Sequence, residues 1–182
     1  EFIGKRRMEP AEEVLALFYE ARGVLRDIRN PASHVGEGAA RQPVPNETPD
    51  QKYALDRAYV VLERTAANRE TFNRILALRY RFMAQFGAEA GIPFDRIIAI
   101  VDQVAGAAHG KMLRALTAFD ATESSERIGD RIDNLLWQSL DDPLQPRVDA
   151  IVTEMERVCG GIINSRGTLF GALNKKWFGD RR

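Results

Sequence analysis

Few residues in this chain stand in a setting that could do chemistry. A metal centre needs His, Cys and carboxylates at regular offsets, and the chain holds two histidines, His34 and His109, and one cysteine, Cys159. Neither histidine lies in a Glu-x-x-His or His-x-x-x-His pattern, so the signatures of di-iron bundles and zincins are missing. His109 sits among alanines and glycines and reads as a packing or surface histidine. Cys159 follows Val158 on an apolar helix face and reads as a buried structural thiol rather than a nucleophile, which would need a base beside it. No serine stands in a Gly-x-Ser-x-Gly or Ser-x-x-Lys pattern. The stretch Val35-Gly36-Glu37-Gly38, followed by Arg41, has the glycines of a phosphate loop. It lacks the preceding strand and the Gly-Lys-Ser/Thr ending, and it places an acid where phosphate would sit. No catalytic residue, metal ligand or cofactor-binding residue is therefore expected, and an enzyme ranks third among the functions considered.

Arginines are the next candidates. The run from Arg74 to Phe86 mixes arginine with aromatics, as single-strand binders do, but Phe72, Leu76, Met83 and Phe86 are spaced as a helix core. Arg69 and Arg79 fall on that stripe, and buried arginines demand carboxylate partners. Residues 120–158 hold ten acids against four arginines, a net of −6 that the rest of this formally neutral chain balances with +6. An internal polar layer pairing Arg69 and Arg79 with those acids is expected, with a small anionic-ligand pocket at the same two residues as the alternative.

The two ends of the chain are basic. Lys5, Arg6 and Arg7 form a cluster of the kind found just cytoplasmic of a membrane helix. At the other end Lys175 and Lys176 adjoin Trp177 and Phe178, with Arg181 and Arg182 beyond. Aromatic residues beside lysine and arginine suit a headgroup interface. These residues are the candidate membrane-surface contacts; the competing reading is of solubilising tails.

The elements that must position these residues are all helical. Residues 10 to about 30 open on Pro10 and carry Val14, Leu17 or Phe18, Ala21, Val24 or Leu25, and Ile28 at helical spacing until Asn30-Pro31. A Pro- and Gly-rich loop over 31–47 is too long for a routine connection. Thr48-Pro49-Asp50-Gln51 forms a capping box, and with no Pro or Gly before Gly87 the spacing predicts one unbroken helix over 49–86. That helix would be roughly 55–60 Å long. Its core stripe is read as Leu55, Ala58, Leu62, Thr65, Phe72, Leu76, Met83 and Phe86. Residues 93–140 form one kinked helix or two, with Asp120 as an N-cap inside the span and a small-residue stretch over 105–110 that invites close backbone approach. A last helix starts near Pro146, weakens at Gly160-Gly161 and continues through Trp177.

Strand-like alternation is absent, and the fold class is all-α: an elongated antiparallel bundle of four to five helices. It is a single helical domain over 1–182, with a basic lead-in over 1–9 and a basic-aromatic segment over 166–182. Neutral charge removes the general footprint of a nucleic-acid binder. In layout, Lys5-Arg6-Arg7 followed by helices containing Leu17-Phe18-Tyr19-Glu20-Ala21-Arg22 and Arg79-Tyr80-Arg81-Phe82-Met83-Ala84 resembles small uncharacterised bacterial proteins with one N-terminal membrane helix and a cytosolic helical domain. The resemblance implies a cytoplasmic location, at the cytosolic face of a membrane, and carries no activity or site. The expected function is a non-catalytic interaction or scaffold domain, tethered to or resting on a membrane, with a protein partner or a second copy of the chain as the other candidate contact.

Overall fold

The computed structural model describes residues 2–117 and 123–178, with side chains described for 8–117 and 123–163. Every regular element among them is helical: α1 (Phe2–Ile28), α2 (Pro49–Ala67), α3 (Arg69–Phe86), α4 (Ile92–Leu116), α5 (Glu123–Leu136) and α6 (Gln145–Phe178), with a 3-10 turn at Ala88–Gly91.

Helix α1 begins at Phe2 rather than at Pro10 and runs through that proline. A proline costs a helix one N–H, but its fixed φ is itself helical. The predicted apolar stripe is buried: Val14, Leu17, Phe18, Ala21, Leu25 and Ile28 are each at most 2% exposed. Helix α6 carries the complementary stripe of Val148, Ile151, Val152, Met155 and Cys159. Contacts at Tyr19–Glu156, Arg22–Asp149 and Arg29–Asp142 run in opposite chain directions, so α1 and α6 are antiparallel. Helix α6 passes unbroken through Gly160 and Gly161, where no neighbour approaches closely.

The span 49–86 is two helices, not one. Both halves of the capping box form, with the Thr48 hydroxyl accepting from Gln51 N and the Gln51 side chain accepting from Thr48 N. The break comes at Asn68, whose side-chain amide donates to the Arg64 carbonyl at 2.8 Å. The Asn68 backbone N–H makes the last ladder bond of α2 to the same carbonyl at 3.1 Å, and at φ −101° and ψ 15° the residue leaves the helical range before α3 starts at Arg69. In α3 it is Phe72, Ile75, Leu78 and Phe82 that are buried, whereas Leu76, assigned to the core by spacing, is 44% exposed. Phe82 and Phe18 both pack on Phe94, with ring centroids 5.5 and 5.1 Å apart, which joins α3, α1 and α4 in one core.

Residues 93–140 likewise form two helices, α4 and α5; Asp120, expected as a cap between them, lies outside the described residues. Lys111–Asp133 and Arg114–Ser125 contacts make the pair antiparallel. In the small-residue stretch Ala107 and Ala108 are buried, and a Cβ at Gly110 would make an ordinary contact with Ile132 at 3.5 Å. Gly106 has no close neighbour and His109 is exposed, its Nδ1 2.9 Å from the Ala105 carbonyl. The six helices exceed the expected four to five because both long spans divide.

The buried face of α3 sets up a direct comparison. Ile75→Ala removes a wholly buried side chain and should cost about 2–5 kcal/mol in chemical denaturation. Leu76→Ala should cost under about 0.5 kcal/mol. Equal losses at the two positions would contradict the face described here.

Candidate functional sites

Charge enters the interior at the ends of helices. Arg29 is 2% exposed, one residue past the end of α1, and its guanidinium spends its donors on two targets. Nε donates to the Leu135 carbonyl at 2.9 Å, and Nη2 donates to those of Asn134 and Trp137 at 3.0 and 3.2 Å. Nη1 and Nη2 also grip the Asp142 carboxylate at 2.9 and 2.8 Å. Asp142 accepts in turn from the backbone N–H groups of Leu144 and Gln145, at the start of α6. Burial pulls the Asp142 carboxyl upward, but the Arg29 bonds and those two N–H groups outweigh it and hold it below the ordinary range. These bonds tie the end of α1 to the end of α5 and the start of α6.

The loop over 31–47 is draped on α2 by two more arginines. Arg64 clasps the Glu37 carboxylate with two N–H groups at 2.9 and 2.7 Å and donates to the Asn30 and Ala32 carbonyls. Those bonds hold the Glu37 carboxyl down to about 2. Arg41, 7% exposed, pairs with Glu47 and with Asp56 of α2. Gly38 lies between them at φ +82°, and a side chain there would collide with the Asp56 carbonyl. Of the glycines that resemble a phosphate loop, Gly38 is thus a packed turn, while Gly36 turns at φ +93° with nothing packed against it. His34 donates its backbone N–H to Glu37.

The predicted polar layer is not where spacing put it. Arg69 is exposed at the start of α3. Arg79 pairs with Asp95 of α4, Nη2 donating to Oδ2 at 2.8 Å, rather than with acids of 120–158. The structure does not bring the two arginines to one pocket. Among the described residues the buried arginines are Arg29 and Arg41. Arg29 was legible: it lies four residues past Leu25, on the continuation of the apolar stripe of α1, and only a charged residue with a partner belongs there. Cys159 is fully buried, and burial pushes its thiol up to about 11, which removes the thiolate a nucleophile needs.

One cleft of about 410 Å³ lies between α2, α4 and α5. Ala58 and Leu136 close its floor, and Tyr53, Arg57, Lys111 and Trp137 reach its walls. The Arg57 guanidinium lies over the Trp137 ring, 4.5 Å from the centroid, and Nη2 donates to the Pro31 carbonyl at 2.8 Å. Lys111 donates to Asp133 at 2.8 Å. Of this site the sequence carried one sign, Tyr53 and Arg57 four residues apart on one helical face.

Among the described residues no group of three or more His, Cys, Asp or Glu side chains is placed to hold a metal, and no helix is long and apolar enough to cross a membrane. The side chains of Lys5, Arg6, Arg7, Lys175, Lys176, Trp177 and Phe178 lie outside the described residues, as do Arg181 and Arg182 entirely. Comparisons of the chain with protein-family models, with curated proteins and with solved structures find no match.

Two predictions follow from the arginine junctions. Arg29→Met strands a buried carboxylate and three carbonyls and should cost about 3–5 kcal/mol, read by denaturant unfolding. Asp142→Leu in the same chain should recover only part of that loss, because the carbonyls stay unpaired. Glu37 gives a pH signature. Its folded-state value lies below the ordinary 4.5, so its bond to Arg64 stabilises the fold fully above the ordinary value and is lost as pH falls toward about 2. Stability should therefore decline between roughly pH 5 and 2. Glu37→Gln should flatten that limb, and an unchanged slope would contradict the assignment.

Proposed function

We propose that this protein is a non-catalytic helical scaffold that rests one end of its bundle against an anionic membrane surface on the cytosolic side. The observation that carries the reading is the direction of α1 and α6. Their contacts begin at Arg29–Asp142 and proceed through Arg22–Asp149 to Tyr19–Glu156. Beyond that point α1 continues back to Phe2 and α6 forward to Phe178. Helix direction therefore sends the Lys5-Arg6-Arg7 segment and the Lys175-Lys176-Trp177-Phe178 segment toward the same end of the pair. The described interior supports a scaffold rather than a reaction centre, since its buried cations and carboxylates cap helices and hold a loop.

Each basic residue near an anionic leaflet contributes about 1 kcal/mol, and the attraction decays within roughly 8–10 Å in physiological salt. Seven basic residues at one end act together only if they share a surface. The full chain should co-sediment with vesicles of phosphatidylserine and phosphatidylcholine but not with phosphatidylcholine alone. Truncation after Asn174 removes four of the seven and should weaken binding at least about tenfold, as should about 0.5 M salt. Equal behaviour toward both vesicle types, or binding unaffected by the truncation, overturns the reading.

A further inference from the structure

We infer that the cleft between α2, α4 and α5 binds a small planar aromatic molecule carrying a single carboxylate. The site is independent of Arg69 and Arg79 and of the basic ends of the chain. Its floor is apolar and sealed, with Ala58 1% exposed and Leu136 wholly buried beneath the accessible faces of Ala54, Tyr53 and Trp137. Tyr53 stands at the wall 70% exposed, an aromatic face with little of the protein against it.

The polar groups are already oriented. Arg57 is fixed from two sides, by the Trp137 ring under its guanidinium and by the Pro31 carbonyl on Nη2. That leaves its other N–H groups, among the described residues, with no protein acceptor, and a cation ordered in advance loses little freedom when a ligand arrives. Lys111 donates one N–H to Asp133 and retains two more on its ammonium. Arg57 and Lys111 against Asp133 leave the cleft one positive charge in excess. A monocarboxylate balances that excess and matches the planar edge of a guanidinium, whereas a dianionic phosphate would bring a charge with no counterpart. The apolar floor and the Tyr53 face then select an aromatic body over a small polar acid. A volume of about 410 Å³ admits one or two fused rings with a short acidic arm.

Saturation-transfer difference NMR on the full chain tests this with three probes: indole-3-acetate, its neutral counterpart indole-3-ethanol, and acetate. Indole-3-acetate should bind with a dissociation constant of about 1 mM or tighter, indole-3-ethanol at least about fivefold more weakly, and acetate not measurably. Tyr53→Ala and Arg57→Gln should each weaken indole-3-acetate at least about fivefold with the thermal unfolding midpoint little changed. Should Arg57→Gln fail to fold, Tyr53→Ala and Lys111→Met carry the test, since both side chains lie at the surface of the cleft. Absence of indole-3-acetate binding, equal affinity for the neutral probe, binding of acetate as tight as that of the aromatic acid, or affinity untouched by Tyr53→Ala and Lys111→Met would each overturn the assignment.

Discussion

The arrangement of the helices depends on the buried pair of Arg29 and Asp142. Three helix ends meet there: the last turn of α1, the last turn of α5 and the first turn of α6. A helix presents partial negative charge at its C-terminal carbonyls and partial positive charge at its N-terminal N–H groups. Arg29 meets the carbonyls of α5 and Asp142 meets the N–H groups of α6, so each member of the ion pair also compensates a helix dipole of opposite sign. Removing two charges from water costs several kcal/mol per ion in a protein interior. The extra hydrogen bonds offset that cost and make this site tolerable where a bare ion pair would not be. The Arg29 carbonyl accepts from Gln138 N at 2.9 Å, which closes the same knot through the backbone.

Two other arginines repeat the solution on a smaller scale. A connection as long as 31–47 loses much conformational freedom when it is ordered, of order 1–2 kcal/mol per residue for the backbone alone. It has few apolar side chains with which to offset that loss. Arg64 and Arg41 hold it instead by linking carboxylates and carbonyls from opposite sides, at 14% and 5% side-chain exposure. Lysine would not serve in their place. A guanidinium presents five donors in a rigid plane, and Arg64 uses that plane on one carboxylate and several loop and helix-end carbonyls at once. The loop's position matters for the cleft as well, because the Pro31 carbonyl at its start is what steadies Arg57.

What could be read from the chain alone follows from which forces are periodic. The stripes of α1 and α6 were legible because burial against one partner repeats every three or four residues, and the cap at Thr48 because its geometry is local. The break at Asn68 was not, since it is a departure of one residue's backbone and asparagine is an ordinary exposed-helix residue elsewhere. Within α3 the stripe was read as stepping four residues from Phe72 to Leu76, whereas the buried face steps three, to Ile75, and goes on to Leu78 and Phe82. The acids of 120–158 were expected to pair with Arg69 and Arg79, whereas their cations come from α1 and α4 rather than α3. Such pairings have no period and are fixed only when the helices pack. The cleft was nearly invisible for the same reason. Its residues come from three helices, and only Tyr53 and Arg57 share one.

Charge distribution ties these parts together. Residues 120–165 carry −6, and much of that is met by cations packed against it: Arg29 on Asp142, Arg22 on Asp149, Arg96 on Glu154 and Lys111 on Asp133. Acids that are met in this way do not form a repulsive face toward an anionic surface. Residues 1–9 and 166–182 hold eight basic and three acidic residues, a net of +5. In a chain with no net charge the acid is thus concentrated over 120–165 and the base in the first and last residues. Charge separated in this way within a neutral chain gives it a direction in an external field, felt within about a Debye length of the charged surface.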